Sequence, residues 1–368
     1  MAARTLLVTA ALICAVFARR PKWHELSEKY SFERYLVDFH KVYSAEEKVY
    51  REANFKKNLQ VILAHNKQGR SYKMGVNHLV DFDDSELVSM RGGRFEAAYE
   101  GKYSRPYVRK DGAVANESVD YRTVVPSVLT AVKDQGSCGD CWAHAVTEAI
   151  ESSYAIATGE LFVLSQQQVT SCTPLTGSCY SCNGSFPTLG YDYVVENGIT
   201  EEWIYPFEAY NGSFPACKSN PYLPTPVQTI VNISGYTNVG SNSQPAVEEA
   251  LSNLGPLSIL VDASDWSFYE TGIFDGCDYS VNISLDHAVN LVGYGTQDGS
   301  DYWIVRNSWA PSWGESGFIR LAKNAVPECG WNVGAAHSAG CFGVGPNQVW
   351  SCGQCGVLFA PQFPVVNI

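Results

Sequence analysis

Gln135-Gly136-Ser137-Cys138-Gly139-Asp140-Cys141-Trp142 sets two cysteines three residues apart at the head of a helical pattern. From Trp142 to Thr158, Val146, Ala149, Ile150 and Tyr154 share one helical face, and Gly159 supplies a natural stop. Cys141 therefore falls at a helix N-terminus. Free backbone N–H groups and the helix dipole favour an anion there, which is the setting that lowers a thiol pKa. Asp140, one residue earlier, is expected to cap the helix by offering an oxygen to those N–H groups. Its charge should also oppose ionisation of the thiol.

A thiolate nucleophile needs a base or imidazolium partner, itself oriented by a third group. Beyond the N-terminal quarter of the chain the histidines are His144, His287 and His337. His287 opens the strand-like run His287-Ala-Val-Asn-Leu-Val-Gly-Tyr-Gly295. Asn307-Ser308-Trp309 follows on the next strand, where an Asn carbonyl could fix the imidazole and Trp309 could shield the bond from water. His144 reads as a packed or cleft-lining residue, although its position one turn after Cys141 makes it a competing base.

The rest of the chain agrees with an exported protein of two parts. Arg4 precedes an apolar run from Leu6 to Phe17, with small residues suited to signal cleavage after Ala18. That run is shorter than the ~20 residues a membrane span needs. There are 12 cysteines; loss of Cys14 with the leader leaves an odd number, so one thiol is expected to stay free in an oxidising compartment. Asn116, Asn183, Asn211, Asn232 and Asn282 each begin a glycosylation sequon. Asn183, beside a cysteine, is the one expected to be hard to reach. A net charge of −12 without a Lys/Arg cluster argues against nucleic acid as a partner. Trp23 to Asn66 reads as helices, Ser71 to Asp81 alternates like a strand, and Arg91 to Ala115 reads as an exposed linker open to nicking. A helical half followed by a strand-rich half predicts an α+β fold of two subdomains with a cleft between them.

These segments resemble the papain/cathepsin L family of cysteine peptidases. The resemblance rests on Gln-Gly-Ser-Cys-Gly-x-Cys-Trp around Cys141, Asp-His-Ala around His287, and Asn-Ser-Trp-x-x-x-Trp-Gly-Glu-x-Gly from Asn307 to Gly317. The stripe Glu47, Arg51, Phe55, Asn58, Ile62, Asn66 is similar to the family's inhibitory pro-segment, as is Gly75-x-Asn77-x-Leu79-x-Asp81. The resemblance implies a papain-like fold: a helical left half, an antiparallel β-barrel right half, and a helical propeptide before them. It places a signal peptide at 1–18, an inhibitory propeptide at 19–114, a peptidase domain at 115–334 and a cysteine-containing extension at 335–368.

By the same resemblance, Cys141 is the nucleophile, His287 the general acid/base, Asn307 its orienter and Gln135 an oxyanion donor. Substrate-binding residues are Gly184, Ser185, Phe186, Pro187, Leu260, Asp286, Ala288, Trp309 and Gly334. The apolar pocket among them implies an apolar residue second from the cleaved bond on the acyl side. Disulfides are implied between Cys138 and Cys182, Cys172 and Cys217, and Cys277 and Cys329. That leaves Cys179, Cys341, Cys352 and Cys355 for two more bridges of open connectivity. No metal or other cofactor is expected; Cys352-Gly-Gln-Cys355 looks like a zinc or redox half-site but has no second ligand pair beside it. The expected partners are peptide substrates and the chain's own propeptide, in a monomer that is free of the membrane once mature. The location is the secretory pathway, ending in a lysosome or vacuole or outside the cell. The alternatives are an exopeptidase of the same fold and a catalytically silent binding or storage protein.

Overall fold

The computed structural model describes residues 20–95, 101–108, 114–174, 177, 179–213, 215–218, 229–280, 283–332 and 348–368. The leader expected at 1–18, the sequon asparagine Asn282, and Gly334, His337 and Cys341 lie outside them. No helix among the described residues is long and apolar enough to cross a membrane.

The N-terminal cap comprises α1 (Phe32–Asp38), α2 (Ala45–Asn66), the short strand β1 (Tyr72–Met74) and α3 (Asp84–Ser89). Ser31 and Ser44 start the first two helices by accepting backbone N–H bonds from Arg34 and Glu47. Phe32, Tyr35, Phe55, Leu59 and Ile62 form the apolar contact between the helices. The polar members of the stripe hold the returning chain. Arg51 binds Glu86 in a bidentate pair at 2.6 and 2.8 Å, and Asn58 donates to the carbonyls of Val80 and Phe82, each at 2.9 Å. Asn66 donates to Met74 O at 2.7 Å. Buried Asp81 accepts from the hydroxyls of Tyr35 and Tyr43 at 2.8 and 2.5 Å. Only three residues of the run 71–81 form a strand; the remainder turns to make these contacts.

Next come β2 (Ser104–Pro106) and β3 (Val119–Asp120), then the helices α4 (Cys141–Thr158), α5 (Gln166–Cys172) and α6 (Pro187–Asn197). Gly159 ends α4 with φ 81°, the left-handed turn that Gly adopts at no steric cost. The sheet half holds β4 (Ile233–Asn238), α7 (Gln244–Asn253), β5 (Leu257–Val261), β6 (Tyr269–Phe274), β7 (His287–Gln297), β8 (Ser300–Arg306), β9 (Phe318–Ala322), β10 (Cys329–Asn332), β11 (Val349–Cys352) and β12 (Gln362–Val366). The main sheet runs β1-β6-β9-β8-β7-β5-β12-β4-β2, with β3 beside β7. Most pairings are antiparallel; β2 on β4 and β6 on β9 are parallel.

Two features of this order matter for the site. The cap is continuous with the sheet through β1, and the last strand, β12, lies inside the sheet between β5 and β4. Helix α4 packs against β7 and β12, so the head of α4 and the head of β7 meet across the interface of the two halves.

Candidate active site

Cys141 is the first residue of α4, and it is the free cysteine among the described residues. Its Sγ is fully buried and accepts the backbone N–H of Ala288 at 3.4 Å. The N–H of Gly92 also reaches it. His287, next to Ala288, opens β7. Its Nε2 lies 2.8 Å from Asn307 Oδ1, and among the described residues its Nδ1 has no hydrogen-bond partner. Trp309 stacks on the imidazole with ring centroids 4.7 Å apart, and Trp266 meets it edge-on at 6.4 Å. The expected shield over the His–Asn bond is therefore aromatic on two sides.

Gln135 is buried beside them. Its side-chain oxygen accepts from Ser308 Oγ at 2.6 Å, which turns Nε2 toward the cleft. That amide donates to Cys138 O and to Met90 O, each at 2.7 Å. A carbonyl of the N-terminal segment thus occupies the donor expected to serve an oxyanion.

The segment after Met90 lies in the cleft. Ser185 N donates to Gly92 O and Arg94 N donates to Ser185 O, both at 2.9 Å, and Gly93 N donates to Asp286 O at 2.8 Å. Arg91 Nε is 3.0 Å from a carboxylate oxygen of Asp286. Glycine is required here by space. A Cβ on Gly92 would stand 1.8 Å from Gly139 O, and one on Gly93 would stand 2.5 Å from the His287 carbonyl carbon. Gly184 is as close, since its own Cβ would lie 2.5 Å from Gly92 O. Phe95 then packs edge-on against Phe359 at 4.8 Å. It borders a cavity of about 450 Å³ that Phe186, Pro187, Leu260 and Ala360 also line. Three of the expected pocket residues are thus in place, while Ala288 is buried against Cys141. Phe359 and Ala360 went unnoticed in the sequence because they lie far down the chain with no motif of their own.

Electrostatics follow from this covering. Burial pushes the Cys141 thiol up to about 12, against the opposing pull of the Ala288 and Gly92 N–H groups, with Asp140 and Asp286 pushing it further. Burial pulls His287 down to about 3, although its bond to Asn307 acts the other way. Asp286 is pushed up to about 7 by burial, despite Arg91. The helix N-terminus predicted a depressed thiol pKa; in this covered state loss of water outweighs it.

Residues 115–339 match the family model described as papain family cysteine protease, and residues 32–87 match the cathepsin propeptide inhibitor domain. The chain belongs to the papain family of cysteine proteases. It is 35% identical to digestive cysteine proteinase 2 of Homarus americanus, over 88% of this chain and 96% of that protein. It is also 35% identical to chymopapain of Carica papaya, over 81% and 83% of the two. The digestive procathepsin L 3 of Tenebrio molitor larval midgut superposes with a TM-score of 0.71 at 29% identity, covering 90% of this chain and 97% of that one. This papain-family protease is therefore made as a proenzyme that carries its own inhibitory segment.

Several expectations need correction against the structure. Cys277 does not pair with Cys329. Cys277 bonds Cys355, and Cys329 bonds Cys352, its direct partner across β10 and β11. Cys352 and Cys355 therefore go to different partners and form no half-site. Cys138–Cys182 and Cys172–Cys217 are as expected, and Cys179 is also disulfide-bonded. The Asp140 carboxylate does not cap α4. It turns aside, accepting from Thr170 Oγ1 at 2.7 Å and lying 3.4 Å from His144 Nδ1. The linker read as exposed begins instead in the cleft, where Gly92 and Gly93 are buried. Asn183 is exposed at the cleft rim.

Proposed function

We propose that this proenzyme matures into an endopeptidase that hydrolyses peptide bonds through Cys141, His287, Asn307 and Gln135. The observation that carries the reading is one constellation: a free thiol at the head of α4 beside an imidazole held by Asn307 at 2.8 Å, in the cleft filled by the inhibitory segment. When that segment leaves, water returns and the thiol can give its proton to His287 Nδ1. The thiolate then attacks the substrate carbonyl carbon. The oxyanion is held by Gln135 Nε2 and the Cys141 N–H, preorganised donors of the kind that typically carry ~2.7–4 kcal/mol each. The imidazolium protonates the leaving amine as the C–N bond breaks, leaving a thioester. Water, deprotonated by His287, attacks the thioester and restores the thiol.

The continuous strip from Met90 to Phe95 supports an endopeptidase, because a chain without a free end lies across the nucleophile. The Ser185 backbone bonds to Gly92 and Arg94 are available to a substrate in the same way. Phe186, Pro187, Leu260 and Ala360 favour an apolar residue second from the cleaved bond on the acyl side. The disulfides fit passage through the secretory pathway, with a lysosome, a vacuole or the extracellular space as the site of action. The test is labelling of acid-activated protein with a thiol-directed epoxide. Labelling and turnover should both vanish in Cys141→Ala; turnover that survives would overturn the assignment. Cleavage of internally quenched peptides in preference to free-ended dipeptide substrates separates endopeptidase from exopeptidase.

A further inference from the structure

Flanking the nucleophile at the head of α4 lies a buried carboxylate–imidazole pair that the reaction above does not use. Asp140 and His144 are buried to within 1% of complete enclosure. His144 Nδ1 is 3.4 Å from Asp140 Oδ1 and 3.3 Å from the Asp140 carbonyl oxygen. The other carboxylate oxygen accepts from Thr170 of α5, and Phe207 closes the pocket edge-on to the imidazole at 5.2 Å. Among the described residues, His144 Nε2 has no hydrogen-bond partner.

We infer that His144 is a positioning residue for the reaction: its charge compensates the carboxylate of Asp140, which otherwise opposes the Cys141 thiolate. The inference rests on the reading of Cys141 as nucleophile. Its physical basis is the placement of Asp140. A carboxylate at a helix N-cap ordinarily spends its charge on the free N–H groups of the first turn. Here it makes no such bond, so its field would act on the next residue in a medium of low dielectric. An imidazolium beside it turns a lone negative charge into a neutral pair.

The groups facing His144 decide whether it carries that charge. Asp140 faces it from the N-cap position, Glu148 from α4, Lys133 from the segment before α4, Glu202 from the segment after α6, and His287 from β7. Burial pulls the imidazole down, but Asp140 and Glu148 outweigh burial and Lys133, and the group lies above its ordinary value. Asp140 in turn pushes the Cys141 thiol up. Glu148 also faces the buried guanidinium of Arg306 at 3.2 Å, so it is not a second uncompensated carboxylate.

The test uses the processed enzyme and two readouts: kcat/KM for a peptide against pH, and the rate of Cys141 alkylation by iodoacetamide against pH. In His144→Gln the acid limb of both should move up by about one pH unit, because Gln keeps a polar side chain beside Asp140 but brings no charge. In the double variant Asp140→Asn with His144→Gln the limb should return to its wild-type position. A His144→Gln profile that overlays wild type would overturn the inference, as would a double variant still shifted like the single one, which would point to packing. If His144→Gln does not fold, the NMR titration of the His144 ring in the wild-type mature enzyme decides instead. A ring protonated throughout the active pH range supports the pair, and a ring titrating below about 6.5 sinks it. Turnover surviving in Cys141→Ala would be a failure of the nucleophile assignment; an unmoved profile in a Cys141-dependent enzyme would be a failure of this inference alone.

Discussion

The two parts of the pro-segment are held by different physics. The cap, α1 to α3, has a cluster of rings around Phe55 that is continuous with the apolar core of the sheet half, and a polar lattice that ties the stripe of α2 to the returning chain. The strip from Arg91 to Phe95 has almost no apolar burial before Phe95. It is held by backbone hydrogen bonds to Ser185 and Asp286, by guanidinium bonds from Arg94 to Asn183 O and from Arg91 to Ala263 O, and by the ion pair of Arg91 with Asp286. Apolar burial is strong and indifferent to pH, whereas hydrogen bonds and ion pairs give little net stability each. The cap therefore supplies affinity. The strip supplies blockage that can be reversed.

Removing the aromatic core of the cap is the most severe way to break this division. Phe55→Ala should cost about 3–5 kcal/mol of cap stability. Its expected result is a zymogen whose cap melts in a separate, earlier transition by calorimetry and whose Cys141 is labelled without processing. A single unshifted transition would show that cap and body are one unit.

Gly92→Ala attacks the strip alone. Its Cβ would meet Gly139 O, so the strip must lift while the cap stays folded. Labelling of Cys141 in the intact zymogen should rise by about tenfold or more, the equivalent of about 1.4 kcal/mol, with the first thermal transition unchanged.

Proton linkage sharpens the comparison further. His287, held near 3 while covered, has an ordinary value near 6.5. Uncovering therefore takes up a proton, and the covered state loses stability as pH falls from about 6.5 toward 3. Asp286 works with the opposite sign. Its covered value of about 7 exceeds its ordinary 3.8, so its contribution is fully present below 3.8 and is lost as pH rises through about 7. Between about 3.8 and 6.5 the two contributions nearly cancel, so the protection of the Gly93 amide in the zymogen, its exchange relative to an unprotected amide at the same pH, should change little there. In Asp286→Asn that protection should fall on acidification, and in His287→Gln it should rise. Protection that rises with acid in Asp286→Asn, or falls with acid in His287→Gln, would contradict the assignment of signs.

The smallest effect is expected at Ser185. Its contacts with the strip come from the backbone, which any side chain leaves in place. Ser185→Gly should leave kcat/KM for small peptides within about twofold of wild type, because no hydrogen bond is removed.

Much of this was legible because it is local. The start of α4, the stop at Gly159 and the stripe of α2 follow from spacing, and the two short histidine and asparagine motifs sit on neighbouring strands. The misread parts are those where the deciding contact is distant in sequence. The resemblance paired Cys277 with Cys329, but its partner is set by the path of a chain that brings Cys355 to a Cα distance of 5.2 Å. The glycines at 92 and 93 looked like linker composition, yet they allow close approach to the backbone of Gly139 and of His287 respectively. Ala360 lines the pocket, and Phe359 packs on Phe95, only because the chain returns toward β12.

The sequence by itself determined the chemistry available at Cys141: a thiol at a helix start, with His287, Asn307 and Gln135 in reserve. Tertiary structure alone decided the state of that chemistry. Local pattern fixes the helix end that favours a thiolate. Only the folded pro-segment removes the water a thiolate–imidazolium pair requires, and only the packing of α5 against α4 turns Asp140 away from the helix it precedes and toward His144.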